Sequence, residues 1–179
     1  MKKLLASLSI VVLFVCISPN SVFAGDDNER NDDQYKIPVG VIVETTEESL
    51  LSKYDFSNLS VSSQRSLVDL SQGYSSFTIG MLNSNASYTT DTYSITKSTI
   101  KIGLQSFSGA SPNIRVTLYK SNGVSVAVST VSVPWSNPAS GSVTYVSFTN
   151  LDTSYDYYAI IKNIGSTQSG MLLGVAMQK

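Results

Sequence analysis

Three places in the chain carry residues suited to chemistry or recognition. Trp135 is the only tryptophan among the 179 residues. It sits in Val133-Pro134-Trp135-Ser136-Asn137-Pro138, where two prolines rule out a central strand by fixing φ and removing ladder donors. An indole held that stiffly is a platform for stacking on a sugar ring or a partner side chain; folded back, it would instead plug one end of the domain. The second place is the tyrosine supply: Tyr145, Tyr155, Tyr157 and Tyr158, with Tyr88, Tyr93 and Tyr119. Adjacent strand residues face opposite sides, so one of Tyr157 and Tyr158 is core and the other lies outside with a wet hydroxyl. Outward tyrosines beside Asn and Ser suit glycan or protein recognition, although tyrosine is also an ordinary strand residue. Trp135, Tyr145 and Tyr158 are the candidate ligand-binding residues.

The third place is Asn150-Leu151-Asp152-Thr153-Ser154-Tyr155-Asp156. Oxygen-bearing side chains at Asn150, Asp152, Ser154 and Asp156 fall at every second position, the spacing at which a loop wraps a calcium ion. It is not an EF-hand, because Tyr155 stands where glycine is required and Ile161 where the bidentate Glu belongs. An Asx-rich turn accounts for the same residues. Calcium is the one cofactor that the sequence suggests.

Catalysis is poorly supplied. The chain has no histidine, which removes Ser-His-Asp and Cys-His machinery, the usual neutral-pH base and the commonest zinc ligand. No P-loop or Gly-rich dinucleotide fingerprint follows a strand. Beyond residue 72 the only carboxylates are Asp91, Asp152 and Asp156, a poor source for the paired acids of a glycosidase. No Ser-x-x-Lys stands at a plausible helix start. The expectation is a non-enzyme.

The elements that would position these residues are mostly strands. From Gly73 onward, short alternating runs are separated by turn residues: 76–82, 88–96, 99–106, 114–120, a run through Val124, Val126 and Val128, then 143–148, 157–163 and 171–177. Ile100, Ile102 and Leu104 share one face; Ile114, Val116 and Leu118 point inward against Arg115, Thr117 and Tyr119. Asn122-Gly123 reads as a two-residue type I′ hairpin turn. About eight strands of this kind predict an all-β antiparallel sandwich or jelly roll over 73–179. Upstream, residues 25–34 are polar and acidic and read as a disordered spacer. Residues 37–43 are apolar but broken by Pro38 and Gly40, which suits an edge strand or a docking segment. Short helices are expected near Glu47–Leu51 and over 63–70, ending at Gly73.

The first 24 residues have the parts of a secretory signal peptide. Lys2 and Lys3 precede an apolar run over 4–17, and Val22-Phe23-Ala24 places small residues for a cut before Gly25. The run is too short to span a bilayer comfortably. Cys16, the single cysteine, follows Phe14 and Val15 rather than the small residues of a lipobox and leaves with the leader. The expected product is secreted, without a disulfide and without a membrane span, in a pattern that suits a bacterial protein. Asn58-Leu59-Ser60 and Asn85-Ala86-Ser87 match the glycan acceptor pattern and are read as loop sequence. Residues 25–72 hold ten acids and four bases, net −6, whereas 73–179 hold three acids and six bases, net +3. No run of Lys and Arg marks nucleic-acid binding. The first part is therefore an acidic linker or pro-like segment.

In order along the chain stand Asp91-Thr92-Tyr93, the strand of Ile100, Ile102 and Leu104, Leu118-Tyr119 with Asn122-Gly123, and Tyr157-Tyr158-Ala159-Ile160. Over 75–178 this resembles the bacterial pre-peptidase C-terminal type of β-sandwich, in which an Asp-x-Tyr strand, a Leu-Tyr…Asn-Gly hairpin and a Tyr-Tyr strand recur. Asp156 stands where that family usually has glycine, and no peptidase accompanies the domain here. The resemblance implies a secreted β-sandwich, without the accessory role to a catalytic domain of the same chain. The expected function is a secreted module that binds a cell-surface glycan or extracellular protein. Alternatives are a secreted effector, such as a bacteriocin or toxin with 25–72 as its pro-region, and an extracellular matrix subunit.

Overall fold

A computed structural model describes residues 38–57, 65–107, 111–135 and 141–179. The leader, the acidic spacer and the Asn58 sequon lie outside these residues. The chain from Pro38 to Lys179 forms one compact unit.

The expected all-β sandwich is present. One sheet has the strand order β1 (Gly40–Glu47), β9 (Ser142–Thr149), β6 (Ile100–Ser106), β11 (Leu172–Gln178), β3 (Tyr74–Ile79). The other runs β2 (Leu67–Asp69), β5 (Thr92–Ser94), β10 (Tyr157–Asn163), β7 (Asn113–Lys120), β8 (Ser125–Ser132), with β4 (Ser87–Thr89) also on β10. These are called sheets A and B. All pairings are antiparallel except β2 with β5. After β3 the chain crosses between sheets at most connections, so its core is assembled from residues distant in sequence.

Period-two patterning fixes which faces meet. Ile114, Val116 and Leu118 of β7, Tyr157, Ala159 and Ile161 of β10, and Ile100, Ile102 and Leu104 of β6 are all essentially inaccessible and share one cluster with Phe77, Val146 and Phe148. Gly174 on β11 is required by this packing: a Cβ there would lie 2.0 Å from the Phe77 ring.

Sheet A is also covered on its outer face. The segment after β1 turns into α1 (Leu50–Lys53) and lays Leu50, fully buried, on Val143, Tyr145, Leu173 and Val175, with Tyr54 and Phe56 beside it. The Leu50 amide donates to Gln105 Oε1 at 2.7 Å, so a buried polar side chain of β6 is satisfied by the cover. Gly103 makes room for Tyr145, whose ring would meet a Cβ at 2.5 Å.

Several expectations are revised. The folded unit starts well before residue 73: the described part of the 37–43 segment leads into edge strand β1, which pairs with β9 along its whole length. The helix near Leu50 is a single turn. The described part of the expected 63–70 helix is instead β2 followed by a 3-10 turn, Leu70–Gln72, capped by Asp69 and closed by Gly73 at φ 144°. The expected strand 88–96 is two strands, because Thr90 Oγ1 accepts the Ala159 amide at 2.9 Å and takes the place of a ladder carbonyl. The Asn122-Gly123 turn is not type I′, since only Gly123 has positive φ, at 88°. Gly123 N donates to Lys120 O and Lys120 N to Val124 O, both at 2.9 Å, closing a three-residue loop of the bulged kind. The register shift it leaves at Leu118/Tyr119 turns Val124 and Val128 outward, both more than half exposed.

Leu50→Ala should lower stability by about 2–4 kcal/mol, the usual cost of truncating a buried leucine, while Leu51→Ala, on the exposed side of the turn, should change it by less than about 0.5 kcal/mol. Urea denaturation of the two variants checks that the α1 segment belongs to the domain; equal midpoints would detach it.

Candidate functional site

Among the described residues, the outer face of sheet B has no cover like that of sheet A. Its register sets out what it presents. Tyr158 of β10 pairs directly with Tyr119 of β7, Ile160 with Thr117, and Lys162 with Arg115. On the β8 side Thr117 meets Val128 and Arg115 meets Thr130; on the other side Ile160 meets Thr89 and Lys162 meets Ser87. Each of these residues alternates with an inward neighbour, so all point outward.

At one end of this face is a three-membered stack. The Tyr119 and Tyr158 rings lie 5.2 Å apart and within 10° of parallel. The Arg65 guanidinium lies 4.7 Å from the Tyr158 ring centre, a cation–π contact of the usual range. Arg65 is carried there by a polar clamp: Ser66 donates its amide and its hydroxyl to Asp91 Oδ1 at 3.0 and 3.1 Å, and Thr92 N donates to Ser66 O at 3.0 Å. Asp91, the first residue of the Asp-x-Tyr motif, therefore positions the Arg65 segment. At the adjoining loop, Lys120 Nζ sits 3.4 Å over the Tyr155 ring.

The sequence-derived candidates do not converge. Tyr158 belongs to the stack. Trp135 is 56% exposed, so it does not plug the sandwich; its amide donates to Ser111 Oγ at 3.2 Å and it bridges to Ser106. It follows the end of β8 that pairs with Asn113, whereas Tyr119 lies at the opposite end of β7, so Trp135 and Tyr158 stand at opposite ends of the sandwich. Tyr145 is 2% exposed and is corrected from a ligand residue to a member of the outer core of sheet A. Its phenol faces Glu48 and Tyr54 without a full hydrogen bond, and burial pushes its ionisation far above the ordinary tyrosine range. Tyr157 is the inward member of the Tyr-Tyr pair; its hydroxyl donates to Asp152 O at 2.8 Å, a tyrosine-corner arrangement that ties the strand to the loop before it.

In the candidate calcium loop, Asp152 Oδ1 accepts from Ser154 N and Oγ at 3.0 and 2.7 Å, an Asx turn. Asn150, at φ 59°, donates its amide to Pro38 O at 3.1 Å. Among the described residues, no group of three or more His, Cys, Asp or Glu is placed to hold a metal ion, and no helix is long and apolar enough to cross a membrane.

Sequence reasoning missed Arg65, Arg115 and Lys162. Arg115 was legible as outward from the alternation of β7, but its pairing with Lys162 required knowing that β7 lies beside β10. The fold defines the class of this protein, an all-β sandwich in which described residues cover the outer face of sheet A but not that of sheet B. Comparison with protein-family models, with curated proteins and with solved structures yields no match.

Glu48 is a carboxylate held at the rim of the outer core of sheet A. Burial opposes its charge, but the Tyr145 phenol, Lys53 at 2.9 Å and Thr46 at 3.0 Å outweigh this and hold it below its ordinary value. A carboxyl depressed in the folded state stabilises above its unfolded pKa and loses that contribution as pH falls through the folded one. Wild type should therefore exceed Glu48→Gln in stability at neutral pH, and the gap should close as the pH falls through the acid range. Thermal melts from pH 7 to 3 check this; a constant gap would refute it.

Proposed function

We propose that this protein is exported and acts without catalysis, holding an extracellular glycan on the open face of sheet B. The observation that carries this is the Arg65–Tyr158–Tyr119 stack on the face that no described segment covers. Partly exposed aromatic edges on a rigid strand offer sugar C–H groups a preorganised apolar surface at little entropic cost. Around them Thr117, Thr130, Thr89 and Ser87, all at outward register positions, supply hydroxyls of the kind that pair with sugar hydroxyls. The effector reading, with 25–72 as a removable pro-region, is weakened because that cut would strip edge strand β1 and Leu50 from the unit.

Tyr158 lies outside the core, so Tyr158→Ala should fold normally and should weaken retention on insoluble polysaccharide or cell-wall material by about tenfold, ~1.4 kcal/mol. Trp135→Ala, at the other end, should leave retention unchanged. Pull-down binding isotherms check both; a loss with Trp135→Ala and none with Tyr158→Ala would move the site to the far end of the sandwich.

A second reading is self-assembly along β1. This edge strand exposes Val41, Ile42 and Val43 in succession, and an unpaired apolar edge is a template for another strand. Sedimentation velocity across a hundredfold range of concentration should then show association that Ile42→Lys abolishes; a monomer throughout would remove this reading.

A further inference from the structure

The glycan reading leaves open which chemical class of polysaccharide the face takes, and one pair of residues bears on it. Arg115 and Lys162 are directly opposed on neighbouring strands β7 and β10. Each is flanked in sequence by buried residues, Ile114 and Val116 for Arg115, Ile161 and Asn163 for Lys162, so both side chains leave the same side of the sheet. Like charges placed opposite one another destabilise a sheet. Neither is relieved by an acid: the ion pairs among the described residues are Lys53–Glu48 and Lys101–Glu44, both on the sheet A side. The outward register positions of β4, β7, β8 and β10 contain no carboxylate; Asp69 of β2 and Asp91 stand at the other edge of the sheet, beside the stack rather than beside this pair. Arg65 adds a third cation at the far end. The chain as a whole carries a net charge of −1, so this positive face is local.

We propose that the open face of sheet B binds an acidic polysaccharide, with Arg115 and Lys162 engaging its carboxylate or sulfate groups and the Tyr158–Tyr119 stack engaging its ring faces; this rests on the glycan reading of the same face. Lys162 and Tyr158 are four residues apart on β10, about 13 Å at the rise of a strand. An extended chain laid along β10 reaches both, passing over Ile160 and Thr117 between them. The guanidinium supplies a planar two-donor fork and the ammonium a compact charge, together matching one anionic group or two neighbouring ones. A single-stranded nucleic acid fits less well, because such sites track the backbone with a positively charged groove, whereas this is a flat face with its cations at two ends.

The test uses the full chain, with polygalacturonate, dextran sulfate and neutral dextran as immobilised probes, and compares wild type with the Arg115→Gln/Lys162→Gln double variant and with Tyr158→Ala. Wild type should be retained by polygalacturonate or dextran sulfate more strongly than by neutral dextran; the better of the two identifies carboxylate or sulfate as the group recognised. Retention should fall about tenfold in the double variant and fade between about 0.05 and 0.5 M salt as screening grows. The double variant should melt no lower than wild type, since it removes a repulsion. Equal retention by acidic and neutral dextran, unchanged in the double variant but lost in Tyr158→Ala, would overturn the acidic class and leave the glycan reading standing. No retention by any polysaccharide would overturn both. A marked loss of stability in the double variant, or retention of single-stranded DNA or phosphatidylglycerol vesicles at least as strong as that of the polysaccharides, would also overturn the proposal.

Discussion

Strand β6 is buried on both of its faces, and much of the molecule's asymmetry follows from that. Inward it sends Ile100, Ile102 and Leu104 into the main core; outward it offers Gly103 and Gln105 to Tyr145 and Leu50. A strand in the middle of a sheet can bury its second face only if something covers it. Here the cover is the short segment after β1, fastened by Leu50 with Tyr54 and Phe56 beside it and by one buried hydrogen bond. Burying a leucine side chain contributes about 2 kcal/mol and a hydrogen bond about 1 kcal/mol, so cover and strand depend on each other. The described residues contain no cysteine, and such apolar contacts, with the ladders, hold the unit together.

Covering sheet A leaves sheet B as the face on which recognition can evolve without loss of core. Its central strands β7 and β10 are anchored by fully buried inward residues, so their outward residues carry little of the stability. That is the condition under which a like-charge pair such as Arg115 and Lys162 can be kept: its cost is a fraction of a kcal/mol per pair, against a domain stability of several kcal/mol. The Asp91 clamp extends the same logic to the edge. Without its carboxylate, Ser66 loses two hydrogen bonds, and only the bond from Thr92 N to Ser66 O is left to hold the segment that sets Arg65 over Tyr158.

The sandwich was legible because its strands obey a period of two that survives any arrangement of neighbours. In β7 and β10 the inward residues can be read off without knowing what they meet, and β10 runs over the same residues, Tyr157–Asn163, that the pattern marks. What failed were features set by tertiary neighbours. Tyr145 alternates like an outward residue, and nothing in its own strand announces that Leu50, far upstream, will close over it. The run 88–96 looks like one strand, but the Thr90 hydroxyl substitutes for a ladder group only because Ala159 lies opposite. The Asn-Gly pair suggested the tightest hairpin, yet the loop takes Ser121 as well and changes the facing of Val124 and Val128.

The candidate site was less legible than the fold for a related reason. Tyr119 and Tyr158 are 39 positions apart in sequence and Arg115 and Lys162 are 47 apart; β8 and β9 intervene between the two strands that carry them. Neither pair is a motif, because nothing local enforces it. Both come from the single adjacency of β10 with β7, and the same register makes both at once: fixing Tyr158 opposite Tyr119 places Lys162 opposite Arg115 four residues on. A slip of β10 by one residue would turn Tyr158 and Lys162 inward and expose Ala159 and Ile161 instead, a change the core forbids. The inward packing that sets this register thereby also fixes how far the aromatic stack stands from the basic pair, so the dimensions of the open face are determined by residues that no ligand on that face would touch.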